Sequence, residues 1–215
     1  MDAATNELRD AHDKLADWYV ERLGGLLESM PSERAMLDLF CELTLAAELG
    51  GAVADVGCGT GRLLPYLAGR GVSPRGVDLS PGMVRVATRD HPEFTFEEAD
   101  LRALPFADAS LAGVVCWYSL IFLAPESRPA AFAELGRVVK PGGYFAAAFK
   151  DGDGTHRRGG RGAVGLGVEF DTYWLSAQEM EERLGSAGFT TVFLGRRPPE
   201  EGELVPRGYL VARRN

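Results

Sequence analysis

The stretch Val53-Ala54-Asp55-Val56-Gly57-Cys58-Gly59-Thr60-Gly61-Arg62 decides the fold. Val53 to Val56 is a short apolar run broken only by Asp55, as expected of a strand covered on both faces. Glycines at 57, 59 and 61 then remove the Cβ atoms that would block a tight turn, and a helix is expected near residues 60–69. A strand that ends in such a turn and opens a helix is where open α/β sheets take a nucleotide-like ligand. Spacing narrows the choice. A dinucleotide turn, G-x-G-x-x-G, needs its third glycine at position 62, where this chain has Arg62. The pattern present is D-x-G-x-G-x-G. A plain strand-to-helix turn is the alternative, because many turns are glycine-rich.

Outward from this segment, strand and helix patterns alternate. Strands are expected near 73–77, 94–98, 111–116 and 143–149, and helices near 81–90 and 127–139, which implies a parallel sheet with right-handed crossovers. Ser80-Pro81 is a helix N-cap followed by proline at the first helical position. Ser176-Ala177-Gln178-Glu179 reads as a capping box for a helix to about 187, stopped by Gly188. Further strands fit 190–194 and 208–212, too close for a crossover helix, so they form an antiparallel hairpin at the sheet edge. Upstream, residues 7–28 carry Leu8, Leu15, Trp18, Tyr19 and Leu26 at helical spacing, and a second helix starts at Pro31-Ser32-Glu33. The glycine-rich stretch 150–167 reads as a long loop, of the functional or mobile kind.

Bulk properties bound the class. The 215 residues suit one domain, with a helical cap at 1–50, a core at 51–149 and a substrate-side loop and hairpin at 150–215. With 46% hydrophobic and 25% charged residues, no spanning apolar run and no signal-peptide pattern, a cytoplasmic globular protein is expected. A net charge of −8 argues against a nucleic-acid surface. Cys41, Cys58 and Cys116 fit neither a disulfide framework nor a metal site, and His12, His91 and His156 stand apart, so no metal is expected. Arginine far outnumbers lysine, which with abundant Ala and Gly suggests a GC-rich bacterial genome. Oligomeric state is left open.

Four features follow the turn in order. Asp78 ends the second strand, where a carboxylate can accept from both ribose hydroxyls; a helix-capping role is the alternative. Asp100-Leu101 follows the third strand, where an acid can accept from an adenine amino group and Leu79, Met83 and Leu101 offer apolar faces; a solvated loop acid is the alternative. Cys116-Trp117-Tyr118-Ser119 carries the fourth strand into exposed aromatics; the alternative is that both aromatics are core, the reading favoured for Trp117. Lys140-Pro141-Gly142-Gly143 turns a helix into the fifth strand.

Taken together, Asp55…Gly61, Asp78, Asp100-Leu101, the strand at 111–116 and the Lys140–Gly143 turn resemble class I S-adenosylmethionine (SAM) dependent methyltransferases of the small-molecule type, over residues 12–149. The resemblance implies a Rossmann-like α/β fold of three layers, with a seven-stranded, mostly parallel sheet whose last strand is antiparallel. It implies that Asp55, Gly57, Cys58, Gly59 and Gly61 surround the methionine part of SAM. Asp78 then lies on ribose, Leu79, Met83, Asp100 and Leu101 around adenine, and Cys116 and Trp117 beside the sulfonium. The family's helical Y-D-x-x-A-x-x-Y appears here as His12-Asp13-Lys14-Leu15-Ala16-Asp17-Trp18-Tyr19, where Tyr19 matches and can close over SAM. Phe122 stands where many relatives have a histidine. The expected reaction is methyl transfer to O, N or C of a small-molecule acceptor. Candidates for a general base are His12, Tyr19, Tyr118, Asp151, His156 and Glu169. Tyr118 and Phe122 are expected on the acceptor side. Arg157, Arg158 and Arg161 suit an anionic acceptor group, or form a solvated loop. A SAM-binding regulator without turnover and an NAD(P)-dependent oxidoreductase are the rival readings.

Overall fold

A computed structural model describes residues 2–23, 25–159 and 166–215. Its helices are α1 (Ala3–Leu23), α2 (Pro31–Ala46), α3 (Leu64–Gly69), α4 (Pro81–Asp90), α5 (Arg128–Val138) and α6 (Ala177–Ser186). Its strands are β1 (Val53–Val56), β2 (Pro74–Asp78), β3 (Phe96–Glu98), β4 (Leu111–Trp117), β5 (Val139–Lys150), β6 (His156–Gly159), β7 (Phe170–Tyr173), β8 (Phe189–Arg197) and β9 (Arg207–Arg214). Seven of these form one sheet in the order β3-β2-β1-β4-β5-β9-β8. The first five run parallel, and β9 is antiparallel to both β5 and β8. The C-terminal hairpin is therefore as expected, with β8 at the edge and β9 slotted inside it.

Burial follows strand position. β1 and β4 are buried at every residue, as central strands with both faces covered require. Ala147, Phe149 and Val114 face α5 and α6 through Phe132, Leu135, Met180 and Leu184. Val115, Ala146, Ala148 and Tyr209 face α2 and α3 through Leu37, Phe40, Cys41 and Leu67. α1 packs on α4 through Leu15, Ala16, Met83 and Val86. That contact is pinned by Asp13, which accepts from Ser80 Oγ and from Gly82 N at 2.8 Å.

Local signals set the boundaries. The Ser80 side chain accepts from Met83 N at 3.0 Å, the expected N-cap with Pro81 inside it. Ser176 Oγ likewise accepts from Glu179 N at 3.0 Å. Glu179 does not return the bond of a full capping box; its carboxylate takes the buried Arg128 at 2.8 Å and Arg183 at 2.7 Å. Three expectations shift. The N-terminal helix ends at Leu23, and Leu26–Ser29 forms a separate 3-10 turn. The helix after the glycine turn starts at Leu64 rather than near residue 60. The stretch 150–167 is not simply a loop, because β6 pairs antiparallel with β7 in a small second sheet. No helix among the described residues is long and apolar enough to cross a membrane.

Candidate functional site

The chain order turns back at β1. β2 and β3 lie on one side of it and β4 on the other, so the carboxyl ends of β1 and β4 form a switch point. A cleft of about 1350 Å3 opens there, roofed by α1 and by the β6–β7 hairpin. Its two ends differ in construction.

At the β1–β2 end, each glycine of the turn meets a different constraint. Gly57 has φ +76°, and a Cβ there would overlap Ser119, whose hydroxyl donates to Val56 O at 2.7 Å. Gly59 has φ +55° with open space around the Cβ position. Gly61 packs against the Phe96 ring and does not line the cleft. The turn does not present a row of free N–H groups. Gly57 N and Cys58 N donate to Val77 O, Gly59 N donates to Asp78 Oδ2 at 2.7 Å, and Gly61 N donates to Cys58 O. The turn is thus tied to the end of β2 before any ligand arrives.

Polar groups at this end remain unused. Asp55 is 1% exposed, and neither carboxylate oxygen has a hydrogen-bond partner among the described residues. Burial pushes its pKa up to about 7, against the pull of Arg62. Arg62 Nη1 is also buried without a partner. Both residues line the cleft. Asp78 accepts from Gly59 N and from Ser80 N at 2.9 Å, and each oxygen keeps a lone pair for a further donor. Burial raises the Asp78 pKa despite these bonds. Leu79, Met83 and Leu101 line the adjoining wall. Asp100 is bound by Arg102 through its backbone N at 2.8 Å and Nη2 at 2.6 Å. Burial pushes the Asp100 pKa up, but these bonds outweigh it and hold it below the usual value. Cys116 is the clearest departure from expectation. It is fully buried in the α5–α6 face of the core and does not reach the cleft, because strand alternation turns it away from Trp117.

The other end gathers aromatics. Trp117 Nε1 donates to Glu33 Oε2 at 2.9 Å, and the Tyr118 hydroxyl donates to Glu33 Oε1 at 2.7 Å. Trp117 is thus core and cleft wall at once. Glu33 is 2% exposed, and sequence reading took it only as a helix-start acid. Tyr118 is held at φ +60°, an uncommon conformation for a residue with a Cβ. Burial, then the Glu33 charge, raises its pKa, so its hydroxyl stays protonated. Under α1, His12 packs on Phe122 at 4.9 Å and on Phe170 at 5.0 Å, with Nδ1 at 2.9 Å from Leu8 O. Burial lowers the His12 pKa and pushes that of Tyr19 up to about 12.

The remaining candidates separate by their partners. His156 pairs with Asp171 at 2.8 Å and stacks on Tyr173. Arg158 bonds Glu7 of α1, Asp171 at 3.0 Å and Glu169 at 3.3 Å, so it ties the hairpin to the roof helix. Asp151 pairs with Arg196 at 2.6 Å and does not line the cleft. Arg157 lies 5.1 Å from the Trp174 ring centre and has no carboxylate partner among the described residues. Arg161 lies outside the described residues. No cluster of metal-ligating side chains is present among the described residues.

This sheet order and cleft define a Rossmann-like α/β protein with its cleft at the β1–β4 switch point, where open α/β sheets take their ligands. Residues 53–143 match the family model described as a methyltransferase domain. An uncharacterized methyltransferase of Synechocystis sp. is 30% identical over 150 residues, which cover 69% of this chain and 71% of the relative. The chain belongs to the class I SAM-dependent methyltransferases. A malonyl-(acyl-carrier protein) O-methyltransferase of Pectobacterium atrosepticum is 35% identical over 104 residues, and the matched region spans only 40% of that protein. The structure of magnesium protoporphyrin IX methyltransferase from Synechocystis with bound SAM superposes with a TM-score of 0.68 at 21% identity, covering 100% of both chains, which is a likeness of fold.

Proposed function

We propose that this chain transfers a methyl group from SAM to an O or N atom, or less readily a C atom, of a small-molecule acceptor. The observation that carries the donor assignment is the pair of buried, unpartnered groups at the turn, the Asp55 carboxylate and Arg62 Nη1. A buried charged group left without hydrogen bonds costs on the order of several kcal/mol, so such a pair is tolerated where a ligand completes it. A free amino acid end is the complementary shape: Asp55 takes the ammonium and Arg62 the carboxylate. Asp78 takes the ribose hydroxyls, and Leu79, Met83 and Leu101 flank the adenine ring with Asp100 at its edge.

SAM supplies a methyl carbon already activated by the positive sulfur. The chain's own work is then to bind, orient and exclude water. Trp117, Tyr118 and Phe122 form the apolar wall at which the acceptor atom is aligned in line with the breaking bond. His12 packs on Phe122 of this wall, and burial lowers its pKa and favours the neutral ring; it can take a proton from an acceptor that cannot lose one unaided. We read residues 1–50 as a cap, 51–149 as the donor-binding core and 150–215 as the acceptor side.

Isothermal calorimetry with S-adenosylhomocysteine (SAH) tests the donor assignment. Arg62→Ala and Asp55→Asn are each expected to weaken binding at least about tenfold, the loss of one charge-assisted bond. Unchanged affinity in both variants would count against it. Transfer of a labelled methyl group to a panel of hydroxy and amino acceptors separates an enzyme from a SAM-binding regulator.

A further inference from the structure

Lys150 ends β5 and lines the cleft. It is one of three lysines in the chain, with Lys14 and Lys140. By strand alternation it shares the face of Ala146 and Ala148, the face that carries Trp117 and Tyr209. Its register partner across the β5–β9 ladder is Arg207, on the same face. Two cations placed directly opposite destabilise a sheet unless something negative lies between or beside them.

The nearby carboxylates are already engaged. Asp151 takes Arg196, and Glu203 is shared by Arg197 at 2.8 Å and Arg207 at 3.1 Å. Both oxygens of Glu33 are held by Trp117 and Tyr118. The Lys150 ammonium has no hydrogen bond or ion pair among the described residues. The cost is visible: burial, and then the charge of Arg207, lowers its pKa. Arg207 lies 5.8 Å from the Tyr118 ring centre, so cations and an aromatic face stand together.

Resting on the reading of the cleft as a methyltransferase site, we propose that Lys150, flanked by Arg207, binds an anionic group on the methyl acceptor, a carboxylate on an apolar or aromatic body that lies against Tyr118. The position separates this anion from the methionine end of SAM: β5 is two strands from β1, about 10 Å at the usual strand spacing, and the amino acid end is proposed to sit at the β1 turn. The proposal transfers no bond: it assigns a positioning contact, with Lys150 as a specificity determinant. It places an anion site on the main sheet, apart from the arginines expected in sequence: Arg158 is committed to carboxylates and Arg157 is exposed against the Trp174 ring, whereas Lys150 is half-buried and has no such partner among the described residues.

The test uses the full chain with benzoate and its neutral isostere benzamide, followed by ligand-observed NMR with and without saturating SAH. Benzoate is expected to bind at least about fivefold more tightly than benzamide to the wild type. Lys150→Gln should erase that preference, and Lys150→Arg should keep most of it. SAH affinity should stay within about twofold in both variants, which also reports that they fold. Equal binding of the two probes, binding of neither, or a benzoate preference that survives in Lys150→Gln overturns the proposal. Failure of the wild type to bind SAH would count against the donor assignment instead, since the benzoate comparison is also run without it.

Discussion

The two ends of the cleft are built on different principles. At the β1–β2 end the backbone itself is the scaffold. The turn's N–H groups are tied to Val77 and Asp78, and the groups left over, Asp55 and Arg62, are a few residues apart in sequence. At the β5–β9 end the wall is assembled from distant pieces, with Glu33 of α2 holding Trp117 and Tyr118, and in the roof Arg158 of β6 holds Glu7 of α1. A preset turn fits an invariant ligand, and a wall of side chains on separate elements fits a ligand that differs between relatives. Damage to the first end should cost folding and donor binding together. Damage to the second should leave the donor site standing.

The sharpest break of this contrast is Gly57→Ala. The added Cβ overlaps Ser119 in a left-handed conformation, so a loss of about 4 kcal/mol or more in urea unfolding is expected, with SAH binding abolished. Gly59→Ala meets open space and should cost only about 1–2 kcal/mol from the backbone conformation. Equal losses in the two variants would contradict the account of the turn.

Next comes the pH dependence of Asp55. Its folded pKa, near 7, lies above its unfolded value, so its contribution favours the fold at low pH and is lost as pH rises through about 7. Without ligand, Asp55→Asn should therefore gain on the wild type by about 3 kcal/mol between about pH 4 and pH 7.5. Because the ammonium of the ligand favours ionised Asp55, wild-type SAH affinity should strengthen from about pH 6 to pH 7.5, with a flat profile in Asp55→Asn. Paired thermal melts and calorimetry across this range check both signs.

At the other end, Glu33→Ala leaves a buried indole N–H and a tyrosine hydroxyl without their acceptor. A loss of about 2–3 kcal/mol is expected, with SAH affinity within about threefold of wild type. Smallest is Arg158→Ala. Its ion pairs are roughly half exposed, so stability should change by less than about 1 kcal/mol, read by chemical denaturation.

The same contrast explains what the sequence made legible. The strand, turn and alternation pattern, the Ser80 and Ser176 caps and the C-terminal hairpin are carried by residues within a few positions of one another. Asp78 is legible as the acid that ends the second strand after the glycine turn. Glu33 had no such signal, since its partners lie 84 and 85 residues away. The family resemblance implies Cys116 and Trp117 together beside the sulfonium, but neighbours in a strand face opposite ways and only Trp117 reaches the cleft. In sequence Arg62 shows only as a missing glycine; its unpartnered Nη1 emerges once burial is known. Lys150 stands at the start of the long glycine-rich stretch, where composition drew attention to the arginines instead.

The central claim is that the β1–β2 end holds the donor independently of the acceptor end. Its most direct test is calorimetry of SAH on Asp78→Ala beside Lys150→Gln. At least about a thirtyfold loss is expected in Asp78→Ala, where two charge-assisted bonds to ribose vanish, and wild-type affinity in Lys150→Gln. Wild-type affinity in Asp78→Ala, or a comparable loss in both variants, would contradict it.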